Sequence, residues 1–224
     1  MSEKDRKGKM QESTEEAQIK CPHCGSINTA RYIYGNPVFS EEMEKMLETG
    51  KWVLGGCCIN RVEMDGQDVD MDPAWKCNDC GRDFGTDPIL ITPKKNMVED
   101  YRDIVIYIHF SIGGYFSGHT AIDIRRNAQG AQVTIDKFPI RDLSEVSDRQ
   151  ISVLKWEKIV ARLYNQLYLH EWKKRYDDPY VLDGEQWSLE IGLTGRRKRT
   201  YCGSNAYPPY WKELLKIFRT YTKV

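Results

Sequence analysis

Seven cysteines stand in the 224-residue chain, at 21, 24, 57, 58, 77, 80 and 202, and four of them are spaced to share a cation. Cys21-Pro22-His23-Cys24-Gly25 and Cys77-Asn78-Asp79-Cys80-Gly81 each set two thiols around two intervening residues with glycine behind. Two thiolates so spaced converge on one metal ion, and the glycine permits the tight turn that aims main-chain amides at sulfur. Two such knuckles complete a tetrahedron with metal–sulfur bonds of about 2.3 Å. The spacing predicts one Zn2+ held by Cys21, Cys24, Cys77 and Cys80. Four thiolates leave no coordination position for water, so the metal is expected to be structural and not catalytic. An odd cysteine count with no apolar leader also favours metal binding over a disulfide framework.

The other chemistry-bearing residues are weaker signals. Cys57 and Cys58 are adjacent, so on a strand they point to opposite sides and at most one can face the metal. The leading reading is that both are small buried apolar residues. The alternative is that Cys57, preceded by Gly55 and Gly56, packs against the site behind the four thiolates or as an exchangeable ligand. Asp65, Asp68, Asp70 and Asp72 lack the spacing, glycine and terminal glutamate of an EF-hand calcium loop, which leaves a solvated acidic loop. Gly113-Gly114-Tyr115-Phe116-Ser117-Gly118 lacks the Gly-Lys-Ser/Thr ending of a phosphate-binding loop and the spacing of a nucleophile elbow, so it reads as a wide hairpin turn. The four histidines, at 23, 109, 119 and 170, have no motif partners. Arg196-Arg197-Lys198-Arg199, with Tyr201 close by, forms a compact basic run at a hairpin tip and is a candidate for nucleic-acid contact.

The elements that must position these residues fall into an α+β pattern. Residues 1–18 alternate charges with serine and cannot bury enough apolar surface to order, so a disordered tail is expected. Residues 19–86 form the small metal module. Within it, 30–35 read as a strand, 40–49 as a helix capped by Ser40 and ended by Gly50, and 51–59 as a second strand. Phe84 is placed to cover the metal site from outside. Residues 87–100, rich in Pro and Lys, read as a linker with Lys94-Lys95 exposed. Residues 101–224 read as an antiparallel β-meander packed with two helices: strands at 103–110, 120–126 and 133–137, with a hairpin turn over Asn127-Ala128-Gln129-Gly130. A long helix is expected from about Asp148 to His170, then a strand pair turning at Thr194-Gly195, and a last helix carrying Trp211, Leu214, Leu215, Phe218 and Tyr221 on one side.

The run Cys21-Pro22-x-Cys24-Gly25, Tyr34-Gly35-Asn36-Pro37, Leu54-Gly55-Gly56-Cys57, Trp75-x-Cys77-x-x-Cys80-Gly81 with Phe84 resembles a family of small bacterial zinc-ribbon proteins of uncharacterised function. The resemblance covers residues 19–86 and implies a zinc-ribbon fold and a metal, but no activity. Relative to those proteins the stretch between Ile59 and Trp75 reads as an acidic insertion. The stretch from Trp172 through Asp183-Gly184, Trp187 and Gly203 to Trp211 is similar to the C-terminal module of assorted bacterial proteins without assigned function.

Net charge is zero overall, but residues 21–100 hold eight Lys/Arg against fourteen Asp/Glu while residues 101–224 hold twenty against fourteen. Thiolate ligands add further negative charge to the first region. An acidic ribbon lacks the electrostatic attraction that binds phosphates, which weighs against nucleic-acid binding through the metal module. No apolar run is long enough to cross a bilayer, and a cytoplasmic location is expected. The leading expectation is a non-enzymatic protein-interaction or adaptor module with an unidentified protein partner and a structural zinc. The alternative is nucleic-acid binding through Arg196, Arg197, Lys198 and Arg199, with Arg125-Arg126 and Lys173-Lys174-Arg175 joining them. A metal-dependent or thiol enzyme using His119, Asp183 or Cys202 has no support in spacing.

Overall fold

The computed structural model describes residues 19–57, 59–64, 67–92, 97–114, 118–138, 147–181 and 184–221. The expected tail, Cys58, the Asp65-Gly66 turn, Lys94-Lys95 and Asp183 lie outside them. The chain is a mixed α+β protein dominated by antiparallel sheets.

The N-terminal module runs β1 (Thr29–Tyr34), α1 (Glu41–Glu48), β2 (Trp52–Gly56), β3 (Arg61–Met64), β4 (Gln67–Asp70), β5 (Trp75–Cys77) and β6 (Asp83–Phe84). Its four-stranded sheet has the order β2-β1-β5-β6, with β1 and β2 parallel across the α1 connection. Helix α1 starts where expected, because the Ser40 hydroxyl accepts from the Met43 amide at 3.2 Å. The glycines before Cys57 have a local purpose: a Cβ on Gly55 would stand 2.1 Å from Tyr34 Cε1, so only glycine lets the Tyr34 ring lie across β2. The acidic stretch, expected as an irregular loop, is a hairpin of β3 on β4. Cross-strand pairing satisfies its main chain, and the side chains of the opposed Arg61 and Asp70 form an ion pair at 2.7 Å.

The stretch expected as a linker contains a further hairpin, β7 (Ile89–Thr92) with β8 (Met97–Asp100), followed by the single helical turn α2 (Tyr101–Ile104). The larger sheet then takes β9 (Val105–Gly114), β10 (Gly118–Asn127), β11 (Gly130–Phe138), β12 (Ser147–Ser152), β13 (Arg175–Asp177), β14 (Glu185–Leu193) and β15 (Arg197–Ser204) in the order β12-β11-β10-β9-β14-β15-β13. All its pairs are antiparallel except β13 on β15. Register aligns the core side chains in rows. Ile135, Ile122, Phe110, Leu189 and Tyr201 stand opposite one another across five strands, and all are buried. Alternate positions, such as His109, Asp123, Ser188 and Thr200, face the other side of the sheet.

One helical correction bears on the site. The helix expected from Asp148 begins only at α3 (Val153–Ala161), capped by Ser152, because residues 147–152 pair with β11 and bury Ile151 as an edge strand. After α3 the chain widens into a π-helical turn over Arg162–Gln166 and passes through Tyr168 at φ 50. It then makes one 3-10 turn at Leu169–Glu171. A left-handed tyrosine is costly and has to be held by its surroundings. Here the ring is 8 % exposed and meets Phe84 edge-on at 5.5 Å. The last helix, α4 (Trp211–Arg219), packs Leu214, Ile217 and Phe218 onto the sheet.

Candidate metal centre

The two knuckles are built alike. Cys21 N donates to Ser26 O and Cys77 N to Arg82 O, both at 2.8 Å. Gly25 N donates to Cys21 O and Gly81 N to Cys77 O, both at 2.9 Å. Gly25 and Gly81 sit at φ 79° and 71°, the left-handed conformation that the tight return requires. The β1–β5 pairing, with Thr29 opposite Cys77, brings the knuckles face to face. The four sulfurs lie within 4.8 Å of one another, Cys21 Sγ to Cys80 Sγ at 3.7 Å and Cys24 Sγ to Cys77 Sγ at 3.6 Å. A tetrahedron of four sulfurs at about 2.3 Å from a metal has edges of about 3.8 Å, whereas a disulfide needs about 2.05 Å. These residues are therefore positioned to hold one metal ion.

Cys21 and Cys77 are fully buried, and burial pushes the Cys21 thiol up to about 12. Burial acts on Cys77 in the same sense, but the amides of Cys80 and Asp79 outweigh it and hold that thiol below its ordinary value. The His23 amide reaches Cys21 Sγ at 3.4 Å. Cys57 is exposed after β2 and is not among the four clustered sulfurs.

The module is seated on the larger domain at the metal-bearing end. The Tyr210 hydroxyl accepts from Lys20 N at 3.0 Å and donates to Lys20 O, and Lys20 Nζ pairs with Glu213 at 3.1 Å. Glu171 reaches across from the 3-10 turn: Oε1 accepts from Gly85 N at 2.7 Å, and Oε2 meets His23 Nε2 at 3.2 Å. Burial raises the Glu171 carboxyl to about 7 and lowers His23. Beside it, His170 is lowered to about 4 by burial and by Arg199. Its ring nitrogens lie near Thr86 and, at 3.6 Å, Glu171 Oε1 without meeting either at hydrogen-bonding geometry. Phe84, 1 % exposed, belongs to the same buried core as Cys21, Cys77 and Tyr168 and meets the Tyr168 ring edge-on. The signal for this junction was present in Phe84 and in the aromatic run from Tyr164 to Trp172, but nothing local in the sequence pairs them.

The basic run does not form one patch. Strand alternation sends Arg197 and Arg199 to the helix side and Lys198 to the open side. Arg197 Nη1 pairs with Glu99 at 2.8 Å, Arg199 lies over the Tyr101 ring at 5.9 Å, and Lys198 Nζ pairs with Glu190 at 2.8 Å. Arg196 occupies the turn at φ 59. Of the histidines, His109 meets Asp123 at 3.0 Å on the open face, and His119 stands opposite Phe138 near the end of the same hairpin. Cys202 Sγ is 3.9 Å from Lys174 O.

No family model matches the chain, and neither the curated proteins nor the solved structures give a match. Among the described residues no helix is long and apolar enough to cross a membrane.

Proposed function

We propose that the chain is a zinc-ribbon protein with one structural Zn2+ on Cys21, Cys24, Cys77 and Cys80, and that it acts as a non-enzymatic interaction module. The observation that carries the reading is the four-sulfur cluster itself, with edges of 3.6 and 3.7 Å. Four thiolates satisfy the ion and leave it no position for substrate, so its contribution is to folding. The interaction part is supported by apolar surface on the metal module: Val38 is 90 % exposed, Phe39 59 % and Leu54 48 %. Val38 and Phe39 are adjacent in the chain, and neighbouring exposed apolar side chains are a mark of a protein contact.

Metal analysis of protein purified without chelator should return one zinc per chain. Affinity capture with nuclease should then recover a specific protein, and Val38→Asp with Phe39→Asp should lose it while keeping the zinc. Iron in place of zinc would keep the ligand set and change the ion. Recovery of nucleic acid alone, lost on nuclease treatment, would overturn the interaction reading.

A further inference from the structure

Between α4 and the larger sheet lies a cavity of about 260 Å³, open at its mouth, whose walls include Phe110, Ile112, Ile122, Leu215 and Phe218. Thr120, Glu185 and Arg219 also line it. We propose that this cavity binds a small zwitterion with an apolar body, a hydrophobic α-amino acid. The assignment rests on neither the metal nor the interaction surface.

The walls are rigid. Phe110 and Ile122 are fixed opposite each other by the β9–β10 register, and the Phe110 ring stacks on Phe218 at 4.3 Å and 5°. Phe110, Ile122 and Phe218 are themselves only 1–2 % exposed and form a packed floor, so Ile112 and Leu215, which are partly exposed, offer the apolar surface that an aliphatic or aromatic side chain would meet.

The polar groups are disposed for a ligand rather than for each other. Glu185 and Arg219 line the same cavity without forming an ion pair, and among the described residues Arg219 has no acidic partner. Glu185 accepts from the Tyr207 hydroxyl at 2.9 Å through Oε1, which fixes the carboxylate and leaves Oε2 available. Its main-chain amide is held in turn by Asn205 Oδ1 at 2.8 Å.

Opposite charges at one apolar cavity select against most other ligands. A phosphate or fatty acid satisfies Arg219 but brings its anion beside Glu185, and a simple amine brings its cation beside Arg219; each sets one like-charge pair at the cavity mouth. An α-ammonium at Glu185 and an α-carboxylate at Arg219 satisfy both, the guanidinium offering the paired donors that carboxylates accept. Size agrees: pockets for drug-sized ligands run from about 300 to 1,000 Å³, so this one suits an amino acid and excludes a nucleotide.

The test uses the full chain and needs no variant in its first arm. L-phenylalanine, L-leucine, phenethylamine and 3-phenylpropionate are titrated by calorimetry and by tryptophan fluorescence, since the Trp211 ring lies 6.0 Å from Phe110. The two amino acids should saturate, with affinities at least about tenfold above either single-charge analogue, the loss expected when one charged hydrogen-bonded contact is removed. Arg219→Gln should weaken L-phenylalanine but bind phenethylamine as well as or better than the wild type does, while Glu185→Gln should weaken L-phenylalanine but bind 3-phenylpropionate as well or better. No saturable binding of either amino acid in the millimolar range, or equal binding of the single-charge analogues, would overturn the proposal. So would variants that bind L-phenylalanine as the wild type does.

Discussion

Replacing Glu171 with glutamine isolates the one buried carboxylate that joins the metal module to the larger domain. The folded chain holds its proton up to about 7 against an ordinary 4.5, because burial disfavours the charged form. A raised value means that the folded state binds the proton more tightly than the unfolded state. The group's contribution is therefore complete below about 4.5 and is lost as pH rises through about 7. Two and a half pH units correspond to about 3.4 kcal/mol. The Glu171 side chain is 12 % exposed, but it lies at a junction that water can enter, and screening brings the expectation to about 1–2 kcal/mol. Glutamine keeps the shape and an oxygen for the Gly85 amide, yet never ionises. Urea unfolding followed by tryptophan fluorescence, on metal-loaded wild type and Glu171→Gln from pH 5 to pH 8, should therefore show a gap that grows in favour of the variant as pH rises. Taking the difference cancels the acid sensitivity of the thiolates, which both proteins share. A gap that stays constant over this range, or that closes as pH rises, refutes the reasoning.

Cys77→Ser should lower the metal content from one per chain to near zero by elemental analysis. It should also reduce the melting temperature of the tryptophan-reported domain, since Cys21, Cys77 and Phe84 belong to the same buried core as Leu163 and Tyr168. Phe84→Ala removes a ring that is 1 % exposed and should cost about 3–5 kcal/mol in chemical unfolding while metal content is kept. Gly55→Ala sets a methyl 2.1 Å from Tyr34 Cε1; displacing that ring and its 2.8 Å bond to Pro73 O should cost about 1–3 kcal/mol, again with metal retained.

What the sequence made legible was whatever is encoded within a few residues. The knuckles, the Ser40 cap and the Asn127–Gly130 hairpin each depend on a local spacing, and each appears as read. The long helix failed at both ends for different reasons. At its start, the run of residues at helical spacing includes Ile151, which the sheet claims instead, and edge-strand pairing is invisible to periodicity. At its end, the helical stripe continues unbroken through Leu167, but the chain leaves the helix through a π turn and a left-handed Tyr168, whose ring meets Phe84, distant in sequence, edge-on. The basic run was misleading in another way: four consecutive cations look like one patch, but a strand divides them between its two faces and Glu99 and Glu190 claim two of them.

The two halves carry opposite net charges, yet bulk attraction is not what seats the metal module. Arg197 to Glu99 follows the net charges, but the ion pair beside the knuckles, Lys20 to Glu213, runs against them. The remaining contacts are a tyrosine hydroxyl closing on both sides of the Lys20 peptide, a carboxylate on a main-chain amide, and aromatic packing. These are short-range and directional, so they form only when the module already has its shape. Lys20 adjoins Cys21, His23 lies between two ligands, and Gly85 follows the second knuckle by a few residues. A metal ion that fixes the knuckles therefore fixes the groups that grip the helical layer, and its binding energy extends past the module into α4 and the Leu169–Glu171 turn. Chelation should accordingly raise hydrogen exchange at Trp172 and Leu214 as well as at the knuckle amides. Exchange confined to residues 19–86 would mean that the module folds and docks as two separate events.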